Sequence, residues 1–396
     1  MNSNAFQQFA EAAAQRTSSP AVTPAQFSRV TILGGGDDAQ LLAALCLAHG
    51  AEVTLFSAYG AELGHLRDSG SIALRGDGPI GNYAIDQSGI PSIRTTAELD
   101  RAVAGVEAVF LTGPVHKQRT YAMVLADHLR DGQCVVIAPG RSMAAVEASW
   151  LLRVGGCSAD ITLVEIQGLP YWSTASGTML QLQSAAAVTA ATLPAGRNDI
   201  IDGLKNFLPN LQAVQNTTQS SFADGSGLIE VPALIMGGAA LQDAALRLPE
   251  GAVPLAENET FRSMIGSEHR QVIEQLAEER CRVAAAFGVR TMPSVDDWLD
   301  SCAGSLRGAG SRSQPDHATA RNLVRCATIG SLVPLQSASE IAGIDVPVTQ
   351  SLITLAGAVL GTEVRTSGRH LSHMGVDTTD IDAARRSLDQ LNRGRH

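Results

Sequence analysis

Short apolar runs alternate with helical stretches along the N-terminal part of the chain, starting near Arg29. The apolar run Val30–Leu33 stops at three consecutive glycines, 34–36, and is followed by a helical stretch over 39–49 and a second strand-like run, Glu52–Ser57. A strand, a glycine turn, a helix and a strand within about thirty residues make a βαβ unit. Further strands are predicted at 108–112, 134–138 and 161–165, a helix at 118–129, and a closing hairpin from 179–183 and 187–190. Continuous apolar strands alternating with helices indicate a parallel sheet covered on both faces.

Helical periodicity replaces the strand pattern after about Asn198. Apolar residues at helical spacing predict a long helix over 260–287, and Val348, Leu352, Leu355 and Val359 predict another that ends at Gly361. The polar stretch 308–315 is expected to be an exposed loop. The second half of the chain is therefore predicted to be mostly helical.

A glycine-rich motif, G-x-G-x-x-A, lies between the first strand and the first helix and consists of Gly34, Gly36 and Ala39. The first glycine permits a tight turn, the second lets the backbone approach a pyrophosphate, and the small third residue lets helix and strand pack closely. The helix N-terminus then faces the phosphates. The pattern predicts a Rossmann-type doubly wound parallel sheet that binds NAD or NADP, followed by an all-helical second domain.

The expected domain boundaries follow from these patterns. They are 1–28 for a flexible leader, 29–197 for the dinucleotide-binding domain, 198–385 for a helical substrate and dimerisation domain, and 386–396 for a tail. We expect a homodimer.

Several residues near the motif are expected to contact the cofactor. Asp37 and its neighbour Asp38 suit the helix dipole but repel a pyrophosphate, so their side chains are expected to point to solvent. The second strand ends at Ser57 without the acidic residue that NAD-selective sites place there for the ribose diol. This favours a phosphorylated ribose, yet no arginine stands beside Ser57, and the choice between NAD and NADP is open. Further expected contacts, after the strands at 108–112 and 134–138, are Pro114, His116 and Gly140, with a surface position as the alternative for the histidine.

Composition narrows the class of protein further. The chain has 396 residues, 45% of them hydrophobic and 17% charged, which is typical of a globular protein. Its net charge of −10 argues against a nucleic-acid partner. No run approaches the roughly 20 apolar residues of a membrane span, and the N-terminus lacks the pattern of a signal peptide. The six cysteines show no C-x-x-C spacing, so we expect reduced thiols and a cytoplasmic location.

Many short segments resemble the opine dehydrogenases of the octopine and nopaline type. In the first domain these are Leu111–Pro114, Leu129–Gln133, Ala138–Arg141, Val164–Tyr171 and Thr192–Ala195. In the second they are Leu332–Leu335, Ile341–Ile344, Pro347, Gly368–Leu371 and Met374-Gly375. The resemblance spans about 29–376 and implies a plan similar to that of 6-phosphogluconate dehydrogenase, with a nicotinamide cofactor and a small substrate.

The chain departs from that family at the residues that carry the chemistry. The family places Asn-Pro-x-x-His early in its second domain, with the histidine as general acid/base. Here Ser226 stands at the asparagine position and Glu230 at the histidine position, and the family's later acidic pair falls on Cys326 and Ala327. The resemblance therefore implies an oxidoreductase with altered chemistry.

A fainter similarity is to the ketol-acid reductoisomerases. These enzymes share the two-domain plan and use a second-domain glutamate as a magnesium ligand, a position that Glu230 resembles. Their partner aspartate would be Ser226, and their catalytic histidine would fall near Pro139. Under this alternative Glu230 binds Mg²⁺, which polarises a ketol.

Three residues are the candidates for catalysis. Glu230 lies in an apolar stretch, where burial would raise its pKa toward a useful acid/base range. Glu165 ends a core strand at the expected cleft and orients substrate, binds an ammonium group or is structural. Arg141 is suited to bind a substrate carboxylate or a phosphate. We expect hydride transfer involving a small carbonyl, imine or hydroxy-acid-like substrate. The remaining alternative is a dinucleotide-binding protein without catalysis, since the family's histidine is absent.

Overall fold

The computed structural model describes residues 23–185, 187–237, 267–302 and 317–394. The predicted loop at 308–315, most of the predicted leader, and the first residues of the helix predicted over 260–287 lie outside these ranges. Among the described residues, no helix is both long and apolar enough to cross a membrane.

The strands lie almost entirely in the first half of the chain. In chain order they are β1 (Arg29–Leu33), β2 (Glu52–Phe56), β3 (Ser71–Gly76), β4 (Gly81–Ala84), β5 (Arg94–Thr96), β6 (Ala108–Leu111), β7 (Cys134–Ile137), β8 (Thr162–Ile166), β9 (Tyr171–Ser176), β10 (Met179–Ser184), β11 (Val188–Leu193) and β12 (Leu211–Ala213).

The helices alternate with these strands and then dominate the chain. They are α1 (Asp37–Ala48), α2 (Gly60–Ser69), α3 (Leu99–Val103), α4 (Val115–Leu125), α5 (Ala144–Val154), α6 (Asn198–Leu204), α7 (Thr217–Ala223), α8 (Ser226–Met236), α9 (Ser267–Ala286), α10 (Val295–Cys302), α11 (His317–Ala327), α12 (Val333–Ala342), α13 (Pro347–Leu360), α14 (Val364–Ser367) and α15 (Ile381–Asn392), with a π-helical turn at Thr328–Leu332 and a 3₁₀ turn at Leu371–Met374.

An eight-stranded sheet forms the centre of the first part, in the order β12-β11-β8-β7-β6-β1-β2-β5. Neighbouring strands pair in parallel except β8 and β11, which pair antiparallel, so that β11 and β12 run opposite to the other six strands. Apolar residues of α1 and α6 cover one face, and those of α4 and α5 cover the other. The predicted doubly wound Rossmann fold, followed by a helical second part, is confirmed.

The predicted closing hairpin is wrong, because its two strands belong to different sheets. β10 pairs antiparallel with β9 and parallel with β3 in a separate four-stranded sheet, whereas β11 joins the main sheet. Leu180 and Leu182 of β10 are buried with Ile72 and Leu74 of β3, and this core contact decides the pairing.

The boundaries of the first part also differ from the prediction. Residues 198–213 were assigned to the helical domain, but α6 and β12 belong to the Rossmann part, because Ile201, Leu204 and Leu211 are buried in the core of its sheet. Residues 386–392 were assigned to a tail, but they form the second half of α15. That helix is anchored by the buried Leu388 and by Asn392, whose backbone oxygen accepts a hydrogen bond from the Ala195 amide.

One hydrophobic core joins the two parts of the chain. Met143 and Val146 of the Rossmann part are buried with Phe222, Val283 and Leu388 of the helical part. The loop after β7 and the start of α5 are thereby held against α7, α9 and α15.

Candidate active site

The glycine loop is closely packed on one side and open on the other. Gly34 has φ +139°, and a methyl group at this position would lie 2.2 Å from Thr112 Oγ1. Ala39 is fully buried behind the loop, whereas a methyl group at Gly36, the N-cap of α1, would have no neighbour within 4 Å. The open side therefore presents backbone amides at a helix N-terminus, an arrangement that fits a phosphate-bearing ligand.

The two aspartates of the loop differ in their surroundings. Asp37 is exposed, as expected, but Asp38 is half-buried and lies within electrostatic reach of Arg141 and Glu230. Burial raises the pKa of Asp38 to about 6, with the negative charges of Asp37 and Glu230 adding to the effect and Arg141 opposing it. The prediction that both carboxylates point to solvent is therefore wrong for Asp38, which faces the helical part.

A carboxylate from α2 lies at the end of β2. Ser57 is fully buried, and its hydroxyl donates a hydrogen bond of 2.6 Å to Glu62 Oε2. Lys117 of α4 forms an ion pair with Glu62 Oε1 at 2.5 Å. The sequence did not indicate an acidic side chain at the end of β2, because Glu62 is not part of that strand and follows Ser57 by five residues.

The loops after β6 and β7 are joined by Gln118. Its amide nitrogen donates hydrogen bonds to the Gly113 and Pro139 carbonyls, at 3.0 and 2.8 Å. Pro114 is the N-cap of α4, and His116 is exposed in the first turn of that helix. Partial burial lowers the pKa of His116, and the cations Lys117, Arg325 and Arg119 add to the effect.

Arg369 holds the loop after β7 from the helical part. Its side chain is 1% exposed and donates to the carbonyls of Gly140 and Ser142, to Gln118 Oε1 and to Glu147 Oε2, at distances of 2.7, 3.0, 3.0 and 2.8 Å. Arg369 lies in a segment that carries the family resemblance, but no sequence pattern indicates its role. Its partners are more than two hundred residues away, so local sequence carries no signal for them.

Arg141 and Glu230 meet between the two parts of the chain. Arg141 Nη2 lies 3.1 Å from Glu230 Oε2, and the two side chains are 13% and 6% exposed. The other terminal nitrogen of Arg141, Nη1, is buried without a hydrogen-bond partner among the described residues. Burial disfavours the guanidinium charge, but Glu230 outweighs this and keeps the pKa of Arg141 above its usual value. The site thus combines a charged pair with an unused donor.

The backbone around Arg141 is held in an unusual conformation. Arg141 has φ +62°, in the left-handed region that non-glycine residues rarely adopt. The next residue, Ser142, donates from both its amide and its hydroxyl to Asp224 Oδ2, each at 3.0 Å, while Asp224 Oδ1 accepts from the Ser226 amide that begins α8. Asp224, which no sequence pattern indicates, therefore joins the Arg141 loop to the helix of Glu230.

The π-helical turn at Thr328–Leu332 packs against the same arginine. A methyl group at Gly330 would lie 2.9 Å from Arg141 Cδ, so the side chain fits because this residue is glycine. Thr328 Oγ1, at the start of the turn, is buried without a hydrogen-bond partner among the described residues. π-Helical turns inside helices occur frequently at functional sites.

Glu165 does not have the position expected of a substrate contact. It is fully buried, and its carboxylate accepts hydrogen bonds from the Ala145 amide at 3.0 Å, Ser221 Oγ at 2.9 Å and Gln167 Nε2 at 2.8 Å. Burial raises its pKa to about 7, although the hydrogen bonds from Ala145 and Ser221 and the charge of Arg369 oppose the shift. The structure favours the alternative, a carboxylate that ties β8 to α5 and α7.

The residues around Glu230 do not fit the magnesium alternative. Among the described residues, no three histidine, cysteine, aspartate or glutamate side chains group as metal ligands do. Glu230 pairs with the guanidinium of Arg141, a positive charge that would repel a cation. Cys326 and Ala327 are buried on the adjoining helix α11 and add no carboxylate.

Comparisons with known proteins agree with this architecture, although no family model matches the chain. An opine dehydrogenase of Arthrobacter sp. (strain 1C) is 22% identical over 363 residues, which cover 87% of this chain and 94% of that protein. A solved octopine dehydrogenase with NADH and pyruvate has a TM-score of 0.66 at 16% identity, covering 93% of this chain and 98% of its own. A ketopantoate reductase of Ralstonia eutropha JMP134 has a TM-score of 0.56 at 14% identity, covering 84% and 98%.

The resemblance to the opine dehydrogenases is therefore confirmed. These relatives are named as dehydrogenases and a reductase, in agreement with the predicted oxidoreductase class. The predicted homodimer, the cytoplasmic location and the similarity to ketol-acid reductoisomerases stay predictions.

Proposed function

We propose that this protein is a nicotinamide-dependent oxidoreductase acting on a small carbonyl, imine or hydroxy-acid-like substrate that carries a carboxylate. The observation that supports this most strongly is the buried Arg141–Glu230 pair, which lies next to the glycine loop at the carboxyl ends of the parallel strands. Ligands of doubly wound sheets bind at this edge. Octopine dehydrogenase, which shares the fold, has been solved with NADH together with pyruvate, and with NADH together with agmatine.

The residues present fit a dinucleotide. Gly34, Gly36 and the first turn of α1 would hold the pyrophosphate, with Ser57 at the adenosine end. Pro114, His116 and Gly140, at the ends of β6 and β7, would lie near the nicotinamide. When bound, the nicotinamide donates a hydride to the substrate carbon or accepts one from it.

The chain itself would bind the substrate and move the proton. Arg141 Nη1, the unused donor, is suited to a substrate carboxylate, since charge-assisted hydrogen bonds to guanidinium are strong and directional. Glu230 lies against the same guanidinium and, as a carboxylate, would take the proton from the substrate oxygen or nitrogen during oxidation. During reduction it would return to that atom a proton that it has first taken up from solvent.

The test is NADH consumption with a panel of 2-oxo acids, alone and with amines, beside the matching esters and amides. We expect turnover with the free acids and none with the esters. Arg141→Met and Arg141→Lys should raise the KM for the acid about 10- to 100-fold, the range of a hydrogen bond to a charged group. Arg282→Met, which removes an exposed arginine of α9, is the control and should change neither constant.

Two results would contradict the proposal. Equal turnover of acids and esters would remove Arg141 from substrate binding. If bound NADH is never oxidised by any member of the panel, the protein binds a dinucleotide without catalysis, which is the alternative function.

The aspartate in the glycine loop makes dinucleotide binding depend on pH. The raised pKa of Asp38, about 6, means that the carboxyl is largely protonated at pH 5 and ionised at pH 7.5. An anionic pyrophosphate nearby favours the protonated form, so we expect NADH affinity to fall about fivefold as pH rises through 6. Asp38→Asn should bind NADH with the tighter affinity at both pH values when titrated by fluorescence. An unchanged pH dependence in this variant would show that another group is responsible.

A further inference from the structure

The end of β2 is the place where the adenosine ribose of a dinucleotide lies in this fold. The strand itself ends in Ser57, but the carboxylate of Glu62 is directed back to this point from the first turn of α2. A methyl group at Gly35, in the middle of the glycine loop, would lie 2.7 Å from Glu62 Oε2. The carboxylate therefore lies beside both the glycine loop and the strand end.

The position of this carboxylate is held by two donors from different elements. Ser57 Oγ donates to Glu62 Oε2 at 2.6 Å, and Lys117 Nζ contacts Oε1 while lying 5.2 Å from the centre of the Tyr59 ring. Partial burial would raise the pKa of Glu62, but the hydrogen bonds from Lys117 and Ser57 outweigh it and hold the pKa below its usual value. Glu62 is thus ionised at neutral pH, and its side chain is still 28% exposed.

We propose that Glu62 selects NAD(H) over NADP(H), an inference that rests on the proposed dinucleotide-dependent function. A carboxylate at this position accepts hydrogen bonds from the two ribose hydroxyls of NAD. It repels the 2′-phosphate of NADP, and placing these like charges together should weaken NADPH binding by at least about tenfold. The chain therefore provides from α2 the acidic group that its second strand lacks.

Lys117 gives the proposal a second consequence. A free lysine at the adenosine end would attract a 2′-phosphate, but here its ammonium is paired with Glu62. Removing the carboxylate removes the repulsion and also frees two donors, Lys117 Nζ and Ser57 Oγ. A single neutral substitution should then reverse the preference of the site rather than only weaken it.

The experiment measures binding, so that it does not depend on knowing the substrate. NADH and NADPH are titrated separately by fluorescence into the wild-type protein, Glu62→Gln and the double variant Glu62→Gln/Lys117→Met. Glu52→Gln is the matched control, because Glu52 lies at the other end of the same strand, β2. Glu52 pairs only loosely with Arg94, at 3.9 Å. Thermal unfolding of each variant without ligand shows that it is folded.

We expect the wild-type protein to bind NADH at least about tenfold more tightly than NADPH. Glu62→Gln should shift the ratio of the two dissociation constants toward NADPH by at least about tenfold, the double variant should lose the gained NADPH affinity, and Glu52→Gln should match wild type. A wild-type protein that binds both dinucleotides equally, or an unchanged ratio in Glu62→Gln, overturns the inference but not the proposed function. If neither the wild-type protein nor any variant binds either dinucleotide, both the inference and the proposed function are overturned.

Discussion

Glu230→Gln is expected to lower kcat by about 10²- to 10⁴-fold, the usual contribution of a general acid or base. Glutamine keeps the size of the side chain and can still accept a hydrogen bond from Arg141, but it cannot exchange a proton with the substrate. NADH affinity should stay within about threefold of wild type, because the glycine loop is unchanged. The measurements are steady-state turnover with the best acid from the panel and NADH titration by fluorescence. The pH profile of kcat should also lose one of its limbs, a change that loss of a merely structural carboxylate would not produce.

Glu279→Gln is the matched control for this result. Glu279 is also a buried glutamate of the helical part, but it accepts hydrogen bonds from the Val348 and Thr349 amides at the start of α13, at 2.8 and 2.9 Å. This variant should lose stability and keep its kcat. If Glu230→Gln turns over as fast as Glu279→Gln, Glu230 is not the proton donor or acceptor.

Arg369→Met is expected to have the largest effect on stability, about 3–5 kcal/mol of unfolding free energy. The substitution leaves two backbone carbonyls and Gln118 Oε1 without their donor and removes one of the two cations at Glu147, all in a buried setting. Arg119 still pairs with the other oxygen of Glu147, at 2.7 Å, so that carboxylate is not left entirely uncompensated. The midpoint of thermal unfolding should fall by on the order of 10 °C, as measured by calorimetry.

Arg365→Met provides the comparison for Arg369→Met. Arg365 lies four residues earlier, is exposed, and offers the same change in charge and size. Its melting midpoint should stay close to that of the wild-type protein. A similar small change in Arg369→Met would show that the loop after β7 is held by other contacts.

The fold could be predicted from the sequence because its determinants are local. The buried parallel strands β1, β6, β7 and β8 are continuous apolar runs, and Gly34 and Gly36 mark the turn into α1. Gly361, with φ +63°, ends α13 where the periodicity predicted. The pairing of β10 could not be predicted in this way. The alternation of apolar and polar residues along this strand indicates that one of its faces is buried, but it does not indicate which sheet the strand joins.

The site was predicted only in part, for a related reason. The apolar environment of Glu230 and the position of Arg141 after a strand end predict both residues, and the structure brings their side chains together. Asp224 and Arg369 were missed because their importance depends on partners far away in the chain. Glu62 was missed because an acidic residue was expected at the strand end itself, and no pattern in the sequence indicates that a helix will direct one back to that point.

The apolar junction between the two parts has a consequence for how the site works. Two domains joined by a thin polar interface usually move relative to each other, and a ligand must then bring the two halves of its site together. Here Met143 and Val146 are buried with Phe222, Val283 and Leu388, so rotation of one part would expose a hydrophobic core to water. Arg141 and Glu230 are therefore preorganised by folding itself, and binding energy from the substrate need not be used to assemble them.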